Sequence, residues 1–95
     1  MNFIERKQIN HTDGKYFIAA NGEVYGPRGK LKPIQMKIGY QKVTLSLGKG
    51  RVKQRYIHDL VAEYFIGSIP PKHVINHIDG NKINNHVTNL EIISS

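Results

Sequence analysis

The sequence predicts a single β-rich α+β domain, and three observations carry that expectation. Two stretches, "YFIAANGEVYG" and "YQKVTLSLGKGRVKQRYI", place strand-forming residues on either side of glycine-bearing turns. A third, "HDLVAEYF", spaces its apolar residues as a helix does. At 95 residues the chain suits one domain with a modest core, and a hydrophobic content of 39% argues for a folded rather than a disordered chain.

Taken in order, the first hairpin turns at Asn21-Gly22, a pair that supplies the positive φ angles of a tight turn. In the second, Val43, Leu45 and Leu47 alternate with Thr44 and Ser46 before a turn at Gly48-Lys49-Gly50. On the return strand, period-two geometry puts Arg51, Lys53 and Arg55 on one face and Val52, Gln54 and Tyr56 on the other. A short helix over His58 to Phe65 follows, with Leu60, Val61, Tyr64 and Phe65 on its apolar side. Gly67 and Pro70-Pro71 end it. The tail reads as a strand at "HVIN", a polar loop at "HIDGNKINNHVTN" and a strand at "LEIIS". With no repeat or linker, residues 1–95 form one unit: a β-rich part to about residue 57, then the helix and tail.

Charge points to the partner class. A formal net charge of +7 favours a polyanion, of which nucleic acid is the commonest. Lys42 and Lys49 lie near the Arg51, Lys53, Arg55 stripe, so these five cations form a candidate phosphate-tracking surface; the competing reading is a solvated strand face. No apolar run reaches the roughly 20 residues of a membrane span, and no basic amphipathic helix suggests a membrane surface. The start, "MNFIERKQIN", lacks the apolar core of a secretory signal. Without cysteine, disulfides and thiolate metal sites are excluded, and a cytoplasmic location is expected.

Chemistry concentrates in the asparagine-rich tail. His77 ends a short apolar run and precedes Ile78-Asp79-Gly80, where a neutral imidazole can accept a proton. Asn76 and Asn89 offer amides that hold loops and fix imidazole tautomers, although such loops are more often plain turn chemistry.

The stretch "HDLVAEYFIGSIPPKHVINHIDGNKINNHVTNLEIIS" resembles the phage and intron HNH endonucleases, whose core is a ββα-metal finger. Its most specific part is "NHIDGNKINN…NLE". The upstream "FIAANGEVYGPRGKLKP…GYQKVTLSLGKG…YIHDLVAEYF" is similar to the β-rich module found ahead of that finger, so the likeness runs from Tyr16 to Ser95. The resemblance implies metal-dependent DNA endonuclease activity on double-stranded DNA, with strand nicking and a phage or mobile-element origin. By position, His77 matches the general base and Asn89 the middle asparagine that orients the loop and the histidine. Asn76 matches a ligand of a single divalent metal, Mg²⁺ with Mn²⁺ as substitute.

Two features depart from that pattern. Asn76 is a neutral donor where many relatives place a charged one, and hard cations prefer charged oxygen. The strand matching "LEIIS" leads, in the family, into a helix bearing the second protein ligand, expected beyond Ser95. An incomplete finger is therefore expected, with Ile92 or Ile93 left for a second copy or a partner to cover. A non-catalytic DNA-binding remnant is the alternative function, and an RNA-binding protein the third. As replacement ligands, His73 is about 13 Å from His77 by strand rise, His86 faces solvent, and Asp79 reads as a turn residue.

Overall fold

A computed structural model describes residues 4–95, so the expected unit 1–95 begins three residues outside it. Among the described residues, nine strands make three antiparallel sheets beside one α-helix, as an α+β domain requires. Strands β1 (Arg6–Gln8), β2 (Phe17–Ala19), β3 (Val24–Gly26) and β4 (Gly29–Lys30) form the first sheet in sequence order. The second joins β5 (Ile34–Gln35), β6 (Gln41–Gly48) and β7 (Arg51–Tyr56), and the third pairs β8 (His73–His77) with β9 (Leu90–Ser94).

Helix α1 (Ile57–Phe65) is the common packing partner of β2, β6, β7, β8 and β9. Its first residues follow directly from β7, and Leu60, Val61 and Ala62 are fully buried. Around them gather Ile9, Ile18, Val24, Val43, Leu45, Ile57 and Leu90. The helix ends where the sequence indicates: Gly67, at φ 149°, returns its N–H to Ala62 O at 2.9 Å.

The first turn works differently from the sequence expectation. Gly22 takes φ 91°, but Asn21 is not in the left-handed region. Asn21 acts through its side chain instead: Oδ1 accepts from Glu23 N at 3.0 Å and Nδ2 donates to Glu23 Oε1 at 2.6 Å. The Lys49-Gly50 turn does use positive φ at both residues, 53° and 75°.

The N-terminal segment contributes more than its sequence suggested. Lys7 Nζ donates to Tyr64 O at 2.7 Å, placing a cation at the C-terminal end of α1, where the helix dipole favours one. Tyr64 OH accepts from Asn10 N at 2.8 Å, and Ile9 is buried beneath.

The terminal hairpin is covered on one side from within the chain. Pairing of Ile75 with Ile92 and His77 with Leu90 puts these four on the face toward α1. Ile92 is half-buried there. The opposite face carries Val74, Ile93, Asn76 and Glu91, with Val74 and Ile93 exposed.

Candidate active site on the terminal hairpin

The site begins at the last residue of β8. Alternation along the strand turns His77 inward and Asn76 outward. His77 is 6% exposed, and its Nε2 lies 2.8 Å from Oδ1 of Asn85, itself buried. Its ring is walled by His58, with centroids 5.2 Å apart, and by Tyr40, at 5.9 Å.

Asn89 closes a different part of the loop. Its Oδ1 accepts from Asp79 N at 3.1 Å, and its Nδ2 donates to Asp79 Oδ1 and Asn84 O, both at 2.9 Å. Asp79 is the hub, taking further bonds from Asn81 N at 2.7 Å and Asn84 Nδ2 at 2.9 Å. These donors, Asn84 first, hold its carboxyl below the usual aspartate range. The amide that meets His77 is thus Asn85, while Asn89 shapes the backbone that carries the histidine. Asn85 sits in a run of amides with nothing in its own sequence to single it out.

Asn85 is braced from the first sheet. A Cβ on Gly22 would lie 2.9 Å from Asn85 Cβ and 3.1 Å from its carbonyl oxygen, so the turn approaches closer than any side chain allows. Two residues on, Val87 N donates to Ala20 O at 2.8 Å. On the other side of the loop, Lys82 Nζ donates to Ile38 O at 2.7 Å and sits 4.8 Å from the Tyr40 ring centroid.

His58, the second residue of α1, was read from sequence only as part of an amphipathic helix. It is 8% exposed, stacked on Tyr56 at 5.3 Å, and its buried Nδ1 has no hydrogen-bond partner among the described residues. Burial, with the nearby His77 adding to it, pushes its pKa below the ordinary histidine value, against the opposing effect of Asp59. Beside this ring group opens a cleft of about 350 Å³ lined by Tyr40, Tyr56, His58, His73 and Ile75.

On the outer face, Asn76 Nδ2 donates to Glu91 Oε1 at 2.9 Å across the strand pair. The amide oxygen of Asn76 and the carboxylate of Glu91 are therefore oxygen donors side by side. Among the described residues no cluster of three histidine, cysteine or acidic groups could hold a metal. Asn76 and Glu91 are the residues of this face that could hold a divalent metal, with water and phosphate supplying the remaining ligands. Glu91 was missed from sequence, although the register that pairs Asn76 with it follows from the hairpin itself. Of the other ligand candidates, His86 is exposed with Nδ1 accepting from Thr88 N, and His73 Nδ1 lies 2.9 Å from Pro71 O.

The five cations of the second hairpin fall into separate environments. Arg51, Lys53 and Arg55 do alternate to one face, but Val43 opposite Arg55 and Leu45 opposite Lys53 make it the helix-facing side. Arg55 is paired there with Glu63 of α1 at 2.6 Å. Lys42 lies on the other face and donates to Gln54 at 2.6 Å. Lys49, Arg51 and Lys53 are exposed.

A family profile described as HNH endonuclease matches residues 55–95, which hold α1, the hairpin and its loop. The chain belongs to the HNH endonuclease family. It is 38% identical over 92 residues to YosQ, an SPbeta prophage-derived protein of Bacillus subtilis (strain 168), covering 94% of this chain and 51% of that protein. It is also 38% identical over 93 residues to the DNA endonuclease I-HmuI of Bacillus phage SP01, covering 96% and 53%. A solved structure of the HNH homing endonuclease I-HmuI, concerned with DNA binding and cleavage, superposes with a TM-score of 0.87 at 35% identity, over 96% of this chain and 53% of that one. The chain thus spans about half the length of these HNH relatives.

Proposed function

We propose that this chain carries the cleavage centre of an HNH DNA endonuclease, with His77 as general base. The observation that carries the reading is the placement of His77: it ends β8, is held by one buried amide, and sits on a loop organised by Asp79 and Asn89. His77 takes a proton from water as the oxygen attacks phosphorus. The P–O3′ bond then breaks, leaving a 5′-phosphate and a 3′-oxyanion, which takes a proton from solvent water to become the 3′-hydroxyl. A divalent metal, Mg²⁺ or Mn²⁺, would stabilise charge on the phosphate and the departing oxygen; Asn76 and Glu91 would hold it from the face opposite His77, so the phosphate would have to sit at the end of the strand pair, where His77 closes β8. One centre acts on one strand, so the product is a nick.

The division of labour follows the chain. Residues to about 57 present DNA-contacting groups, and residues from about 58 form the nuclease finger. Lys49, Arg51 and Lys53 remain the exposed candidates for phosphate contact, with Arg55 and Lys42 engaged within the protein. Relatives named for a phage and a prophage support a phage or mobile-element origin. No helix of the described residues is long and apolar enough to cross a membrane.

Binding without cutting is the second reading, and the 6% exposure of His77 favours it, because a base must meet its water. A supercoiled-plasmid assay in Mg²⁺, Mn²⁺ or EDTA separates the two. Metal-dependent nicking that falls by about 10²–10⁴ in His77→Ala supports the enzyme. Salt-sensitive DNA binding with no nicking supports the binding module.

A further inference from the structure

We propose that Asn85, braced by the turn at Gly22, is the positioning residue that fixes the orientation and neutral tautomer of His77. The inference deepens the general-base reading and rests on it for its catalytic meaning. Its structural content stands on three observations.

The first is the contact itself. Asn85 is 4% and His77 6% exposed, and only 2.8 Å separates Oδ1 from Nε2. With the amide oxygen toward the ring, as the 2.8 Å contact places it, Nε2 is the donor and the lone pair resides on Nδ1. That leaves Nδ1 as the nitrogen able to take a proton. An amide turned by 180° would reverse the two nitrogens, so the protonated nitrogen is the quantity to measure.

The second is that Asn89, the amide the sequence motif assigns to this task, has its side chain committed to Asp79 and Asn84. It cannot orient the imidazole directly. The third is the brace. The Ala20–Glu23 turn is closed by Gly22 N to Ala19 O at 2.9 Å and by the Asn21–Glu23 bonds, and Lys30 holds Glu23 at 2.6 Å. The closed turn lies against the Asn85 backbone and Cβ, so a displacement of a few tenths of an ångström at Gly22 must move Asn85 or strain the turn. The β-rich half of the molecule is therefore part of the support of the catalytic histidine.

The test is imidazole ¹⁵N NMR on the full chain with labelled histidine, at a pH where the ring is neutral. In the native chain His77 is expected to show the Nε2–H tautomer with its proton in slow exchange. Asn85→Leu removes the acceptor, and the protected Nε2–H signal is expected to disappear; Asn85→Asp keeps an oxygen there and retains it. Gly22→Ala should accelerate exchange at least tenfold while leaving the other four histidine signals in place. A native His77 protonated on Nδ1, or an Nε2–H signal unchanged in Asn85→Leu, overturns the proposal. Should Asn85→Leu fail to fold, Asn85→Asp and Gly22→Ala still decide it, since loss of the signal in the first or no change in the second is contrary to expectation. Where nicking is present, Asn85→Leu should lower the turnover rate at least tenfold with Asn85→Asp restoring part of it. Absence of nicking in the native chain counts against the enzyme reading alone, because the NMR result does not depend on it.

Discussion

The β6–β7 and β8–β9 hairpins are both antiparallel pairs packed on α1, yet they close in opposite ways. Between β6 and β7 two residues suffice, and backbone conformation does the work: Lys49 and Gly50 both sit at positive φ. Between β8 and β9 the chain runs from Ile78 to Asn89, and side chains hold it. Asp79, Asn81, Asn84 and Asn89 bond one another and the loop backbone at 2.7–3.2 Å. A tight turn leaves no room for a site. An amide-built loop leaves His77 fixed, surrounded by neutral groups and one anionic hub. The difference teaches how a small domain holds a buried histidine: rigidity comes from hydrogen bonds whose loss is local.

That contrast can be broken at Asn89. It is 9% exposed and makes three bonds, so Asn89→Ala leaves Asp79 N and Asn84 O without their partner. The expected cost is about 3 kcal/mol, above the ~1 kcal/mol of one ordinary hydrogen bond, because the orphaned groups are partly buried. Amide hydrogen exchange should rise across residues 78–89, with β6–β7 protected as before. Lys49→Ala, in the backbone-built turn, should change stability by less than half as much. Equal losses at both positions in urea titrations would erase the distinction.

Legibility in the sequence follows the same division. Alternation in "KVTLSL" and the helical spacing of "HDLVAEYF" announced β6 and α1 because each pattern records which residues face the core. β1 escaped because Arg6, Lys7 and Gln8 are all exposed, so nothing in their order records a buried face. His77 and Asn89 were legible through the motif, and Asn76 through its place beside His77. Asn85 and Glu91 were not: the role of each depends on a partner across a turn or a strand, which composition does not encode. The cationic stripe was legible as an alternation but not as a surface. Which face of β7 meets the helix is decided by its register with Val43 and Leu45.

A middle-sized effect sharpens the comparison from the side of α1. His58 is buried with an Nδ1 unpartnered among the described residues, and its pKa lies below the ordinary value of 6.5, chiefly through burial. In the unfolded chain the ring protonates near pH 6.5. The folded chain resists that proton, so the unfolded state binds more protons as pH falls through this range. Stability should therefore be full above about pH 7 and decline as pH drops below 6.5, levelling once the folded ring is also charged. His58→Gln, which does not titrate, should flatten the slope between pH 5 and 7.5. A native melting temperature constant across that window would contradict the account. Glu23 and Asp79 act in a separate window. Glu23, held at about 2 mainly by Lys30, and Asp79, lowered by its amide donors, contribute stability above the ordinary carboxylate range and lose it as pH falls further.

The smallest effect concerns the cations of β7 and asks whether they serve the fold or the surface. Arg55 meets Glu63 at 2.6 Å, with side chains 24% and 46% exposed. Partial exposure and salt screening limit such a pair to about 0.2–1 kcal/mol. A double-mutant cycle with Arg55→Met and Glu63→Gln should give a coupling in that range, shrinking as ionic strength rises. Lys53→Met, on the same face but without an acidic partner among the described residues, should leave stability within about 0.5 kcal/mol. DNA affinity should order the two the other way. Lys53→Glu and Arg51→Glu should weaken binding several-fold and reduce its salt slope, since free cations release counterions when they meet phosphate. Arg55→Met should change it little. If Arg55 and Lys53 prove equal in both measurements, the helix-facing strand would be a continuous phosphate surface, and the Arg55–Glu63 pair would open when DNA binds.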